Sequence, residues 1–438
     1  MYTKISAISP HSLPIRDISS VAPNAARGHA QRSRAMLLCA FFILVHAGSC
    51  GATVFTVDST IDASDAVPGD GVCNDGAGHC TLRAALQEVS STFAVSSSNT
   101  INVPAGSYVT TALLFAAKSD AAKDLSIIGT GAAGTVIVDG SGGAPHGVFN
   151  IGGGGVTSLV NLTIQNGTSF QGGGIAAYLG TLNISLCVIT NSHAAAGGNS
   201  GGIYLGDANG VVNLDRSTVS NNTSPNDAGG IRIAQGTMKI TSSAIVNNHA
   251  SVSGGGGGGI LNQATLSVND STISGNISNY GGAISTLGNG AMTQLANVTI
   301  TANSTQQLAS NPGATTSVLS SIIANPISGA NCAGAINSLG HNIDSANSCN
   351  LSVPSDFFNT NPMLAQLANN GGPTLTHALL PGSPAIDQGD NFYSYKYDQR
   401  SIGFPRVLGA AADIGAFEGV QVDKIFAYGF EVLPPPGS

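Results

Sequence analysis

Between Gly173 and Asn303 one pattern of apolar and polar positions is repeated five times. Each pass opens on a double glycine and an apolar residue: Gly173-Gly174-Ile175, Gly201-Gly202-Ile203, Gly229-Gly230-Ile231, Gly258-Gly259-Ile260 and Gly281-Gly282-Ala283. Each closes on a β-type run that ends near Asn191, Asn221, Asn247, Asn276 or Asn303. The second glycines stand at 174, 202, 230, 259 and 282, giving spacings of 28, 28, 29 and 23 residues. A period of this length predicts stacked repeats, because one unit is too small to bury its own apolar face. Within a pass the apolar spacing is two, not 3.6. Thr, Val, Ile and Ser dominate, while Glu, Lys and Arg are scarce. Both features favour strands. Three short strands plus turns per pass make a coil, with equivalent residues stacked about 4.8 Å apart.

Aligning the passes defines columns. An inward apolar column reads Ile164, Ile189, Val219, Ile245, Ile273, Ile300 and Ile322. Each burial is worth about 1.5–3 kcal/mol. A small-residue column reads Leu162, Cys187, Ser217, Ser243, Ser271, Val298 and Ser320. Asn222, Asn248, Asn276, Asn303 and Asn325 form an expected amide ladder at a turn. The double glycines mark either positive φ or close backbone approach. The expected fold class is therefore all-β, a right-handed single-stranded parallel β-helix. The gallery of columns resembles the parallel β-helix of pectate-lyase-like proteins, and its Gly-Gly-Ile rhythm is similar to the repeats of polymorphic outer-membrane proteins.

The flanks are organised differently. Residues 1–50 read as a leader: arginines at 27, 32 and 34 precede the apolar run from Met36 to Val45, which suits a signal-peptide core but is too short for a bilayer span. Ala47-Gly48-Ser49-Cys50 resembles a lipobox, making Cys50 a candidate for lipidation. In residues 54–90, Thr81 is a candidate N-cap, and Leu82, Ala85, Leu86 and Val89 make one apolar face of a short helix. Such a helix would cover the open end of the solenoid. The segments Phe55-Thr56-Val57-Asp58-Ser59-Thr60, Pro68-Gly69-Asp70-Gly71-Val72-Cys73 and Cys80-Thr81-Leu82-Arg83-Ala84-Ala85 resemble the CSLREA domain of bacterial exported β-helix proteins. Ala84 stands where that family carries an acidic residue. Solenoid coils are expected over residues 99–330. The period fades over 331–418, where Asn370-Gly371-Gly372-Pro373, Pro381-Gly382-Ser383-Pro384-Ala385-Ile386-Asp387, Asp398-Gln399-Arg400 and Asp413-Ile414-Gly415-Ala416-Phe417-Glu418 resemble the choice-of-anchor Q domain of bacterial surface proteins. Residues 419–438 form a tail.

The chain has 438 residues, 9% charged residues, no Trp and a net charge of −8, which disfavours nucleic acid and anionic membrane as partners. Export makes the local cysteine pairs Cys73/Cys80 and Cys332/Cys349 candidate disulfides, with free thiols as the alternative. Cys187, in the inward column, reads as a buried free thiol. Asp58, Asp62, Asp65, Asp70 and Asp75 share a glycine-rich loop. They are candidate calcium ligands or simply turn formers; no other cofactor is expected. From Val148 to Ala330 the charged residues are Asp207, Asp215, Arg216, Asp227, Arg232, Lys239 and Asp270. No column pairs two carboxylates on neighbouring coils, as a glycoside hydrolase would need. Asp207, Asp227 and Arg232 are candidate glycan contacts if their turns fold over one face. His377, Asp387, Asp398, Arg400 and Asp413 read as structural polar residues. The expectation is a monomeric, exported, non-catalytic surface or secreted β-helix for display, adhesion or extracellular glycan contact. A polysaccharide lyase or glycoside hydrolase is the alternative.

Overall fold

The computed structural model describes residues 52–91, 98–117, 124–251 and 256–419. The leader, Cys50 and the tail beyond 419 lie outside the described residues. The chain is an all-β parallel solenoid. Its strands pair with equivalents one coil away, and one of its sheets contains nine strands. A repeat pass carries four short strands rather than the expected three: Ile175–Ala177, Thr181–Ser185, Val188–Thr190 and His193–Ala194. The second and third belong to one sheet that turns a corner between them. That corner is a residue in the left-handed conformation, occupied coil after coil by Asn161, Leu186, Arg216, Ser242, Asp270, Asn297 and Ser320.

The apolar column is in register: Ile164, Ile189, Val219, Ile245, Ile273 and Ile300 pair in sequence and are fully buried. Its last member is Ile323, not Ile322. The same one-residue correction applies to the small-residue column, which ends at Ser321, whose hydroxyl accepts from the Val298 N–H at 3.1 Å. It also removes Asn325 from the amide ladder, since Asn325 has φ +48° and occupies a second corner. At this coil both alternating faces are apolar, so local periodicity cannot choose between them.

The true ladder runs from Ser192 through Asn222, Asn248, Asn276 and Asn303. Each asparagine Oδ1 accepts the backbone N–H of the preceding coil, at 3.0, 3.1, 2.9 and 2.8 Å. Each Nδ2 of Asn222, Asn248 and Asn276 donates to the next Oδ1, at 2.9–3.0 Å. Gln307 terminates it, accepting from Asn303 Nδ2 and donating to the Ala324 carbonyl, both at 2.6 Å. The neighbouring double glycines adopt ordinary φ in four of the five passes, so close approach is their reason. A Cβ at Gly202 would lie 2.5 Å from the Gly230 carbonyl oxygen, and one at Gly230 would lie 2.6 Å from that of Gly259.

At the N-terminal end the helix Leu82–Ser90 forms as expected, with the Thr81 hydroxyl accepting the Ala84 N–H. Its apolar face joins the solenoid core. Stacking continues past residue 330, where the sequence period had faded: Ile336–Ser338, Ile343–Asp344 and Phe357–Phe358 extend the same sheet. The chain then reverses along the outside of the solenoid. Gln399 Oε1 accepts from Thr272 Oγ1 at 2.6 Å, His377 Nε2 lies 2.9 Å from Ser274 Oγ, and the Ala416 N–H donates to Thr299 Oγ1 at 3.0 Å. Ala385 and Ile414 cover Ile322, Ala324 and Ile343 in a second small core.

Asn248→Ala should leave the Asn222 amide and two backbone groups without their partners, at about 1–3 kcal/mol for each group left unpaired. Lys239→Ala, on the exposed face, should change stability by less than about 0.5 kcal/mol. Urea unfolding of the two variants beside the parent checks the contrast.

Candidate functional site

The outer face of the longer sheet strands carries a central column of side chains, one from each coil. In register these are Asn183, Asn213, Lys239, Ser267, Gln294, Ser317 and Asn337. Alternation requires this face to be polar, since the intervening residues fill the core. The column is knitted by side-chain hydrogen bonds, Asn213 Nδ2 to Asn183 Oδ1 at 2.8 Å and Asn337 Nδ2 to Ser317 Oγ at 3.2 Å. Over Lys239, Ser267, Gln294 and Ser317 the returning C-terminal segment raises a wall. Tyr393 and Tyr395 stand there with ring centroids 5.7 Å apart. Together with Asn269 and Leu339 they enclose a groove of about 470 Å³. None of its lining residues is a carboxylate. Lys239 is exposed and makes no ion pair with the described residues. Periodicity predicts the polar column; the tyrosine wall comes from the aperiodic returning segment and had no local signal.

Beneath that wall lies a buried charged cluster. Asp398 holds Arg400 through Nε and Nη2, at 3.0 and 2.6 Å. The guanidinium is sandwiched between the Phe404 and Phe417 rings, at 4.1 and 3.8 Å from their centroids. Arg406, fully buried, reaches Asp270 on the solenoid corner at 3.8 Å and donates to the Asp413 carbonyl. Glu418 accepts the Leu408 and Asp413 N–H groups, both at 2.9 Å. Burial pushes Asp270 up to about 7, against the opposing field of Arg406. Burial likewise raises Glu418 to about 7, and it raises Asp413. Asp387 accepts the Ala410 N–H at 2.8 Å. His377 is held below its ordinary value by burial. Sequence reasoning marked Asp398, Arg400 and Asp413 as structural, and each does hold a loop here. It missed Arg406 and Glu418, and it placed Asp270 only as a solenoid residue.

The other sequence-predicted residues are placed as follows. Asp227 and Arg232 do meet, in a direct ion pair, and Arg232 also donates to Asn199 Oδ1 at 2.7 Å and Gln263 Oε1 at 3.0 Å. Arg232 thereby fastens the turn that folds over its strand. Asp207 does not join them; its carboxylate accepts the Asn209 N–H within its own turn. The five N-terminal aspartates are not brought to one point. Asp62 binds Arg83 at 2.8 and 2.9 Å and accepts from Thr111. Burial works to raise its pKa, but those hydrogen bonds outweigh it and hold the carboxyl below its ordinary value. Asp58, Asp65, Asp70 and Asp75 each accept backbone N–H groups of nearby turns. Among the described residues no three His, Cys, Asp or Glu side chains are grouped to hold a metal ion. Cys73–Cys80 and Cys332–Cys349 are disulfides. Cys187 is a buried free thiol, pushed up to about 12 by burial. Among the described residues no helix is long and apolar enough to cross a membrane.

No protein-family model and no curated protein matches the chain, so the N- and C-terminal resemblances rest on the motifs quoted above. Among solved structures the chain is similar to the crystal structure of pectate lyase Pel9A, at 14% identity and a TM-score of 0.46, over 84% of this chain and 98% of that one. That degree of likeness speaks to neither activity nor ligand.

Arg400→Ala would strand Asp398 without its partner, a change that costs about 3–5 kcal/mol in buried pairs. Limited proteolysis should then cut within residues 388–408 of the variant before it cuts the solenoid. Cys187 should stay unreactive toward a thiol reagent in the native protein and react only on unfolding, since the thiolate is the nucleophile.

Proposed function

We propose that this chain is an exported, non-catalytic β-solenoid whose groove beside Tyr393 and Tyr395 makes contact with an extracellular glycan. The supporting observation is the groove's lining. Hydroxyl and amide groups of Ser267, Asn269, Gln294 and Ser317 stand beside two phenol rings and the Lys239 ammonium. Stacked coils repeat these groups about every 4.8 Å, close to the length of a sugar ring. Sugars offer alternating hydroxyl rims and apolar C–H faces; amides and hydroxyls suit the first, and tyrosine faces suit the second. Glycoside hydrolysis calls for two carboxylates flanking the scissile bond. The acids with raised pKa, Asp270, Asp413 and Glu418, are instead buried among arginines.

Binding to an array of neutral and acidic polysaccharides tests this reading. Tyr393→Ala and Gln294→Ala should each weaken binding by roughly tenfold, equivalent to about 1.4 kcal/mol, with melting temperature unchanged. No unsaturated or reducing ends should appear on prolonged incubation. Release of such ends, abolished by Asp227→Ala or Arg232→Ala, would establish the lyase or hydrolase instead.

A further inference from the structure

The charged cluster beneath the tyrosine wall is unbalanced. Asp270, Asp398, Asp413 and Glu418 are all at most 1% exposed, whereas among the described residues the only guanidinium groups buried with them are Arg400 and Arg406. Arg400 is committed to Asp398 and to the Glu418 carbonyl. Arg406 is left with Asp270, Asp413 and Glu418 around it, and half-buried Asp387 adds its charge beside Asp413. The Asp270 Oδ1, Arg406 Nε and Arg406 Nη1 atoms are buried without a hydrogen bond. Asp270 belongs to the solenoid and Arg406 to the returning segment, so this pair joins the two.

The groove wall hangs from the same segment. The Arg406 N–H donates to the Lys396 carbonyl at 3.1 Å, next to Tyr395. Asn391 brackets the turn through the Tyr395 N–H and carbonyl, at 2.8 and 2.9 Å. On the solenoid side the turn is tied at Asp390, through Ser320 Oγ at 2.7 Å. Tyr395 itself lies in the field of Asp270.

We propose that the Asp270–Arg406 junction is a proton-dependent clamp that sets whether the Tyr393–Tyr395 wall closes over the groove. This regulation rests on the groove reading above. Three carboxylates around one guanidinium cannot all ionise in a dry site without net repulsion, so the closed state holds protons that the open state, in water, releases. The sign follows. Asp270 and Glu418 have folded-state values raised from 3.8 and 4.5 to about 7. Their protons therefore favour the closed state fully below about pH 4, and that contribution is lost as pH rises through about 7. The closed wall should hold at mildly acidic pH and loosen as the medium turns alkaline.

Amide hydrogen exchange on the full-length protein, from about pH 5.5 to about pH 8.5 with rates corrected for intrinsic pH dependence, is the test. Protection of residues 388–396 should fall at least tenfold across this range, while that of the Asn222–Asn303 ladder stays constant. Asp270→Asn keeps the size of the protonated acid and tolerates the left-handed corner. It should reduce that dependence to the share carried by Glu418. Uniform protection of 388–396 at all pH values, or an Asp270→Asn variant with the parental slope, would overturn the clamp. Measuring polysaccharide binding over the same range separates the two ideas. A pH-dependent wall with no glycan bound at any pH sinks the groove reading alone. PH-independent binding with uniform protection sinks the clamp alone.

Discussion

Each coil of this molecule makes its backbone hydrogen bonds to the coils above and below it, and the rest of the structure follows from that constraint. Because partners lie one full turn away in sequence, a residue must be compatible with its own counterpart on either side. Ile189 meets Ile164 and Val219; Gly202 leaves room for the carbonyl of Gly230. An insertion of one residue is harmless only where the chain leaves the sheet, at corners and turns. The passes accordingly vary in length in their turns while their strands stay in register.

Stacking also makes buried polarity tolerable. An isolated asparagine in a core would leave donors and acceptors unmet. Here Asn222, Asn248, Asn276 and Asn303 each receive from one neighbour what they supply to the next, and the mismatch is passed to the end of the row, where Gln307 and the Ala324 carbonyl absorb it. The serine column does the same with hydroxyls: Cys187, Ser217 and Ser243 N–H groups donate to Ser217, Ser243 and Ser271 Oγ. A chain with few charges can thus fill its lumen with small polar residues and still satisfy them.

The returning C-terminal segment imposes a different order. It is irregular, it carries its own buried ions, and it converts part of an outward face into an interior. Ala244, Val246, Ile322 and Ala324 point away from the lumen and are nonetheless buried, whereas Val188 and Thr218, which the segment approaches only at Pro373, remain partly exposed. The groove exists only because this segment stands beside the polar column. Its shape therefore depends on how firmly the segment is held.

Periodicity in the sequence determined the solenoid, its β character, the inward column from Ile164 to Ile300 and the asparagine row up to Asn303, while local signals marked the capping helix with Thr81 at its head and made the two cysteine pairs candidates. These are local or repeated signals, and repetition multiplies weak evidence. Tertiary structure alone decided the register of the coil where Ile322 and Ile323 are equally apolar and only the covering Ile414 and Ala385 show which one faces out. It also decided which candidates meet. Asp227 reaches Arg232 while Asp207 bonds within its own turn, and the five aspartates of the N-terminal loop go to separate N–H groups and to Arg83. Asp270 and Arg406, 136 positions apart, come together at a corner. Side-chain partners of this kind are set by how an aperiodic segment lies on a periodic surface, and no single stretch of residues encodes that placement.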